Sequence, residues 1–198
     1  MSAPARKLAT YADLEAVPPH LVAEIIYGVL ETHPRPVFPH ARASSLLGYL
    51  LIGPYDFGRN GPGGWHFLDE PELHVGQNVV VPDIAGWRRE RLPYIPDVAF
   101  STLAPDWVCE VLSPATARFD RGAKRDIYGE AGVSYLWLID PRERVLEAFH
   151  RTNGNWLLAG VATGSDAVKL LPFDAVAFSL DDLFGIDPPP SAAPTPQG

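Results

Sequence analysis

Three side chains that together could hydrolyse a phosphodiester bond follow one another along the chain: Asp83, Glu110 and Lys124. Each acid lies in a short apolar run with strand character, at 78–87 and 106–112. A lone acid in such a run is costly to bury unless it is paired, hydrogen-bonded or bound to a metal. If the runs are neighbouring strands, their acids suggest a shared cation, and a nearby lysine could stabilise a developing anion. This pattern indicates a metal-dependent nuclease site.

The composition fits one globular domain. A chain of 198 residues with 46% hydrophobic and 20% charged residues is ordinary for such a domain. The sequence has no apolar run of about 20 residues, as a membrane helix needs, and from its first residues we expect no signal peptide. The single cysteine, Cys109, excludes an internal disulfide and suits a reducing cytoplasm. We therefore expect a cytoplasmic domain over residues 1–186 and a disordered or extended Pro-rich tail over 187–198.

The net charge of −8 argues against broad nonspecific DNA binding, which depends on neutralising phosphates. The basic residues are nevertheless clustered after the two acidic runs, as Arg88, Arg89 and Arg91 and as Arg118, Arg121, Lys124 and Arg125. Clusters in these positions fit a basic rim around an acidic metal site, which is one arrangement that a nuclease could use. The alternative is that both are solvated surface stretches.

Hydrophobic periodicity and turn residues predict an α/β domain in which helices flank a mixed β-sheet. The predicted helices are 10–17, 39–52, 121–131 and 180–184, with Thr10 and Ser179 as N-caps. The predicted strands are 21–31 (a bent strand or a strand pair), 65–68, 72–75, 79–87, 106–112, 133–139, 145–151 and 156–161. The last two strands are predicted to form a hairpin around the turn dipeptide Asn153-Gly154. Residues 53–64 are predicted as loop and 88–105 as an irregular connection. The nearly continuous apolar run 133–139 predicts a central strand covered on both faces.

Three segments, 81–84, 107–114 and 124–141, resemble the Uma2 (Uma-two) family of restriction-endonuclease-like proteins. The resemblance covers roughly residues 8–162, and the segment 24–30 and His40 also look like family features. It implies the PD-(D/E)XK nuclease fold, Asp83 and Glu110 as metal-binding carboxylates and Lys124 as the active-site lysine. Glu24 would be a further acid at the site.

One residue departs from the generic nuclease pattern. The third position of the Glu-x-Lys element is Leu112, which should share a strand face with Glu110. Lys124, from the following helix, would supply the amine from a different backbone position.

The resemblance implies a DNA endonuclease that uses Mg²⁺ or Mn²⁺. Magnesium prefers one or two carboxylates and keeps several waters, and it lowers the pKa of a bound water. Because each site of such an enzyme cuts one strand, we expect a homodimer. The sequence contains no zinc-ligand spacing, no Gly-Lys-Ser/Thr phosphate loop and no glycine-flanked nucleophilic serine.

Two other functions remain open from the sequence: a degenerate nuclease fold that binds nucleic acid or protein, and a structural dimerisation module. The candidate residues also have ordinary structural explanations: a turn acid for Asp83, an acid paired with Arg125 for Glu110, a solvated lysine for Lys124, a half-exposed strand acid for Glu24, a cap for His40 and core packing for Tyr128.

Overall fold

The structure, a computed structural model, describes residues 8–184. The strands are β1 Leu21–Ile26, β2 Val29–Pro34, β3 Trp65–Asp69, β4 Leu73–Val75, β5 Asn78–Val80, β6 Ile84–Arg88, β7 Trp107–Val111, β8 Tyr135–Asp140, β9 Val145–Thr152, β10 Asn155–Thr163, β11 Ala167–Val168 and β12 Phe178–Ser179. The α-helices are α1 Tyr11–Glu15, α2 Phe38–Leu51, α3 Ala117–Phe119 and α4 Arg125–Glu130; Ile52–Asp56 and Asp120–Lys124 are π-helical turns, and Leu180–Leu183 is a 3₁₀ turn. None of the helices within 8–184 is long and apolar enough to cross a membrane. The predicted tail 187–198 lies outside the described residues.

A six-stranded mixed sheet forms the centre of the fold, in the order β10-β9-β8-β7-β6-β3. Strands β7 and β8 are parallel, and every other neighbouring pair is antiparallel. The parallel pair requires a crossover, and the helical segment 117–130 supplies it. Residues 136–139 of β8 are fully buried, which confirms the prediction of a central strand covered on both faces. The predicted α/β class with a mixed sheet is also confirmed.

A second, four-stranded sheet has the order β2-β1-β5-β4. The chain passes from this sheet to the large one between β5 and β6, through Val81, Pro82 and Asp83. The prediction of one strand over 79–87 is therefore wrong. Pro82 has no N–H to donate to a ladder, and the Val81 N–H donates to the side-chain Oε1 of Glu24 at 2.8 Å instead. The break places Asp83 at the junction of the two sheets.

Alternation along β7 divides its side chains between two cores. Trp107 and Cys109 pack with α2 and the C-terminal residues on one face. Val108 and the adjoining Leu112 pack with residues of α4 on the other face. Cys109 and the adjacent Glu110 accordingly lie on opposite faces of β7, and Cys109 is a buried free thiol.

Several predicted boundaries and caps differ from the structure. The helix predicted at 121–131 begins at Ala117, because the Thr116 N–H donates to the Ser113 hydroxyl at 3.2 Å and the Ala117 N–H donates to the Ser113 carbonyl. The predicted loop 53–64 opens with the π-helical turn Ile52–Asp56 that continues α2. Ser179 occupies the N-cap position of the last turn but makes no side-chain cap hydrogen bond.

Other local predictions are confirmed. Thr10 caps α1 through a reciprocal capping box with Asp13. The run 21–31 is a strand pair, whose turn uses Tyr27 and Gly28 at φ 49° and 76°. Asn153-Gly154 joins β9 and β10 with φ 51° and 81°, as a two-residue hairpin turn requires.

Candidate active site

The candidate residues meet where the two sheets approach the helical crossover. Ile84 pairs with Cys109 in the antiparallel β6–β7 ladder, so Asp83 and Glu110 come next to each other at the same edge of the sheet. A cavity of about 450 Å³ opens at this edge. Its ionisable lining includes Asp83, Glu110, Asp120, Lys124, His33 and His40.

The ammonium of Lys124 lies inside a cage of oxygen atoms. Lys124 Nζ is 2.9 Å from both Glu24 Oε1 and Glu110 Oε1, and 3.6 Å from Asp120 Oδ1. It also donates to the Val81 carbonyl at 3.3 Å. Burial alone would lower the pKa of Lys124, but the carboxylates of Glu110 and Glu24 outweigh burial and hold the pKa well above its usual value. The buried amine is therefore a fixed positive charge.

Glu24 is held ionised although it is buried on β1. Burial acts to raise its pKa, but Lys124, His33 and the Val81 N–H together lower the pKa to about 2. His33 Nε2 lies 3.6 Å from Glu24 Oε2. Glu24 does not itself line the cavity, so it reaches the site through the ammonium of Lys124.

Glu110 has the opposite electrostatic balance. Burial raises its pKa well above the usual value; Lys124 opposes that effect, and the negative charges of Asp120 and Asp83 add to it. The Tyr128 hydroxyl donates a hydrogen bond to Glu110 Oε1. Tyr128 is fully buried on α4, so one side chain packs in the core and also fixes the central carboxylate.

Asp83 is oriented by two neighbours. The Val111 N–H donates to Asp83 Oδ2 at 2.7 Å, and His40 Nε2 lies 3.3 Å from Asp83 Oδ1. His40 is buried near the start of α2. Burial lowers the pKa of His40, but Asp83 raises it, and the net shift is upward. His40 is therefore a partner of Asp83 and not the surface cap that helix position alone suggested.

The structure brings Asp83, Glu110, Lys124 and Glu24 into one charged cluster. Three ordinary explanations are wrong: Lys124 is not solvated, Glu24 is not half exposed, and Glu110 pairs with Lys124 and not with Arg125. Leu112 is buried and lines the cavity with Glu110, which agrees with the prediction that the two residues share a strand face.

Sequence reasoning missed two residues of the cluster, Asp120 and His33. Asp120 is only 2% exposed, and its Oδ1 has no hydrogen-bond partner within the described residues. In the sequence it is merely the one acid inside a basic cluster. The available signal was its position four residues before Lys124, which places the two side chains together on a helical turn.

The predicted basic rim is largely wrong. Arg88 is the last residue of β6, whereas Asp83 immediately precedes the first. The strand between them rises about 3.3 Å per residue, so Arg88 lies far from Asp83. The two arginines that follow it are bound to acids, Arg89 to Asp56 and Arg91 to Asp106. In the second cluster Arg121 is paired with Glu147. The arginines that line the cavity are instead Arg35 and Arg142.

The oxygen donors of the site suit a hard cation. Within residues 8–184, no group of three or more His, Cys, Asp or Glu side chains is arranged to hold a metal ion. Magnesium, however, commonly uses only one or two carboxylates and completes its shell with waters and substrate phosphates. Asp83 and Glu110 fit this kind of binding, and the unpartnered Asp120 oxygen adds negative charge to the same cavity.

Comparison with known proteins gives the family. Residues 8–181 match the Uma2 family model, which is described as "Putative restriction endonuclease". The chain belongs to the Uma2 family. The match extends beyond residue 162, where the resemblance seen in the sequence ends, and family membership supports a nuclease function with a nucleic-acid substrate. No curated protein matches the chain.

A solved structure shares the fold of this Uma2 chain. It is described as a putative nuclease belonging to DUF820 from Anabaena variabilis, and it is 23% identical in sequence with a TM-score of 0.71. The similarity covers 89% of this chain and 97% of the other. It confirms the fold predicted from the resemblance.

Replacing Lys124 with Met should destabilise the protein by about 3–5 kcal/mol near pH 8, because the buried carboxylates lose their cation. Without the ammonium their pKa values rise, so the variant should recover stability as the pH falls and they become protonated. Urea unfolding at pH 8 and pH 5 measures both effects. Lys169→Met removes an exposed lysine and should change stability by less than about 0.5 kcal/mol. An equally small change for Lys124→Met would contradict the cage.

Glu24 should also give the protein a specific acid sensitivity. Its pKa is depressed to about 2, so its stabilising contribution is complete above its usual pKa of 4.5 and is lost as the pH falls towards about 2. Between about pH 5 and pH 2, the free energy of unfolding should therefore fall by up to about 3 kcal/mol more in the natural protein than in Glu24→Gln. Glu15→Gln changes an exposed acid and should keep the natural pH profile. Identical profiles for Glu24→Gln and the natural protein would refute the ion pair.

Proposed function

We propose that this protein is a metal-dependent DNA endonuclease in which Asp83 and Glu110 hold a Mg²⁺ or Mn²⁺ ion. The observation that carries the proposal is the Lys124 ammonium, 2.9 Å from Glu110 Oε1, in a cavity that also contains Asp83. A carboxylate pair, a fixed amine and an open cavity are the parts that phosphodiester hydrolysis requires. When bound, the ion would lower the pKa of a water and neutralise phosphate charge.

The remaining residues have supporting roles in this proposal. The three N–H groups of the buried ammonium already point to Glu24, Glu110 and the Val81 carbonyl. Lys124 therefore acts through its charge, which stabilises the negative charge that develops on the scissile phosphate. Glu24 keeps Lys124 protonated and in place. His40 and the Val111 N–H orient the carboxylate of Asp83. Arg35 and Arg142 at the cavity supply positive charge for the flanking phosphates.

The main test is cleavage of plasmid and single-stranded DNA with Mg²⁺ or Mn²⁺. Asp83→Asn and Glu110→Gln should each lower the cleavage rate at least about 100-fold, because each removes a metal-binding charge. Asp97→Asn, an exposed acid outside the cavity, should cleave like the natural protein. Thermal unfolding of every variant separates loss of activity from loss of the fold. Full activity in Asp83→Asn would refute its role.

A manganese soak tests the site without a substrate. An anomalous difference peak between Asp83 and Glu110 should appear in crystals of the natural protein and be absent from Glu110→Gln. A peak elsewhere, or none at high Mn²⁺ concentration, would favour the second candidate, a degenerate module that binds nucleic acid or protein. Two observations favour that candidate: Glu110 is already paired with an ammonium, and Leu112 replaces the usual strand lysine.

We further infer that the endonuclease is a cytoplasmic homodimer. Strand β10 is an edge of the large sheet within the described residues, and it exposes Leu157, Leu158 and Val161. Exposed apolar edge strands favour pairing with another chain. Light scattering at micromolar concentration should give twice the monomer mass, and Leu157→Lys should reduce it to that of the monomer. A monomer for the natural protein would exclude this part of the proposal.

A further inference from the structure

Asp120 is the one buried acid of the cavity that neither the resemblance nor the proposed metal site uses. Its side chain is 2% exposed, and its Oδ1 has no hydrogen-bond partner within residues 8–184. An unpartnered buried acceptor is destabilising and requires an explanation, such as a ligand or a water. Because Asp120 lines the cavity, that partner would lie inside the site.

Lys124 does not supply a hydrogen bond to Asp120 Oδ1. The distance from Asp120 Oδ1 to Lys124 Nζ is 3.6 Å, which is too long for a direct hydrogen bond, and the three N–H groups of the ammonium already serve Glu24, Glu110 and the Val81 carbonyl. A water that donates to Asp120 Oδ1 would therefore take its other hydrogen bonds from the cavity and not from the ammonium. The π-helical turn Asp120–Lys124 carries both groups, so their relative position is set by the backbone. Such turns often occur at functional sites.

A role in metal binding fits Asp120 less well than a role in proton transfer. Asp83, Glu110 and Asp120 line the same cavity, but among the described residues they do not form a group of three that could hold a metal ion. The charged group nearest to Asp120 by a measured distance is the ammonium of Lys124, 3.6 Å away. Asp120 therefore lies where it can receive a proton from a water in the cavity.

We propose that Asp120 is a catalytic residue that accepts the proton of the attacking water. This inference rests on the proposed nuclease function. The water oxygen forms a bond to phosphorus while the bond from phosphorus to the leaving sugar oxygen breaks. The proton of the water passes to Asp120 Oδ1, and the leaving oxygen takes a proton from solvent. Asp120 then returns its proton to solvent, and the products are a phosphate monoester and a free hydroxyl.

The electrostatics of Asp120 agree with this role. Burial raises its pKa, Lys124 and the Thr116 hydroxyl oppose that effect, and Asp83 and Glu24 add to it, with a net upward shift. Glu110 on β7 and His40 on α2 are the other titratable groups that interact with it. A carboxylate with a raised pKa is a better proton acceptor near neutral pH than an ordinary one.

The test compares Asp120→Asn with Asp126→Asn, which changes an exposed acid of α4 outside the cavity. Cleavage of plasmid DNA and of bis(p-nitrophenyl) phosphate is measured across pH with saturating Mg²⁺. Asp120→Asn should lower kcat about 100-fold or more with little change in KM, and it should lose the fall in rate at acid pH that the natural enzyme shows. Asp126→Asn should match the natural enzyme in both respects. Formate should partly restore activity to Asp120→Ala, because it places a small carboxylate in the vacated space.

Three outcomes would overturn the inference. A rate within a few fold of the natural enzyme for Asp120→Asn excludes a proton acceptor there. If Asp120→Asn is slower but keeps the fall in rate at acid pH, and formate does not rescue Asp120→Ala, Asp120 only positions Lys124. A large loss of Mn²⁺ affinity, followed by electron paramagnetic resonance, makes it a metal ligand. In all three outcomes the natural protein is active. If the natural protein cleaves neither substrate, the proposed function itself fails, and this inference fails with it.

Discussion

The site depends on one buried cation, the ammonium of Lys124. It binds Glu24 from the small sheet, Glu110 from the large sheet and the Val81 carbonyl from the segment between the sheets. Removing the ammonium alone would leave buried carboxylates without a partner, at a cost of several kcal/mol. The same interaction therefore joins the two sheets and sets the electrostatics of the cavity.

The passage of the chain between sheets follows from this need. A continuous strand over 79–87 would have kept Asp83 inside one ladder, whereas the break at Pro82 frees the Val81 N–H for Glu24 and the Val81 carbonyl for Lys124. The next residue, Asp83, then lies opposite Glu110 at the start of β6. Pro82 and the two hydrogen bonds of Val81 thus place the two candidate metal ligands, Asp83 and Glu110, side by side. The small sheet places Glu24 next to the same ammonium.

Much of the fold could be predicted from the sequence, because local patterns determine it. The apolar run of β8, the Asn153-Gly154 turn and the Thr10 capping box are all short-range features, and each occurs as predicted. The switch of sheets at Pro82 and the π-helical turn before α4 could not be predicted in this way, since each depends on side chains distant in sequence. The same reason explains why Asp120 was missed: its burial is a property of the assembled cavity.

The prediction of a basic rim failed because sequence clustering does not show which charges are already neutralised. Arg89, Arg91 and Arg121 each have an acidic partner that does not line the cavity. The cavity itself is lined by the acids Asp83, Glu110, Asp120 and Glu70 and by the basic groups Lys124, Arg35, Arg142 and two histidines. Lys124 is held by Glu24 and Glu110, and Arg35 lies 3.9 Å from Glu70. A phosphate placed beside Asp83 and Glu110 would bring negative charge next to these acids, so Coulomb repulsion would oppose it there unless positive charge entered with it. In the proposed function a divalent cation held by Asp83 and Glu110 would supply that charge, while Arg35 and Arg142 lie at the cavity for the flanking phosphates.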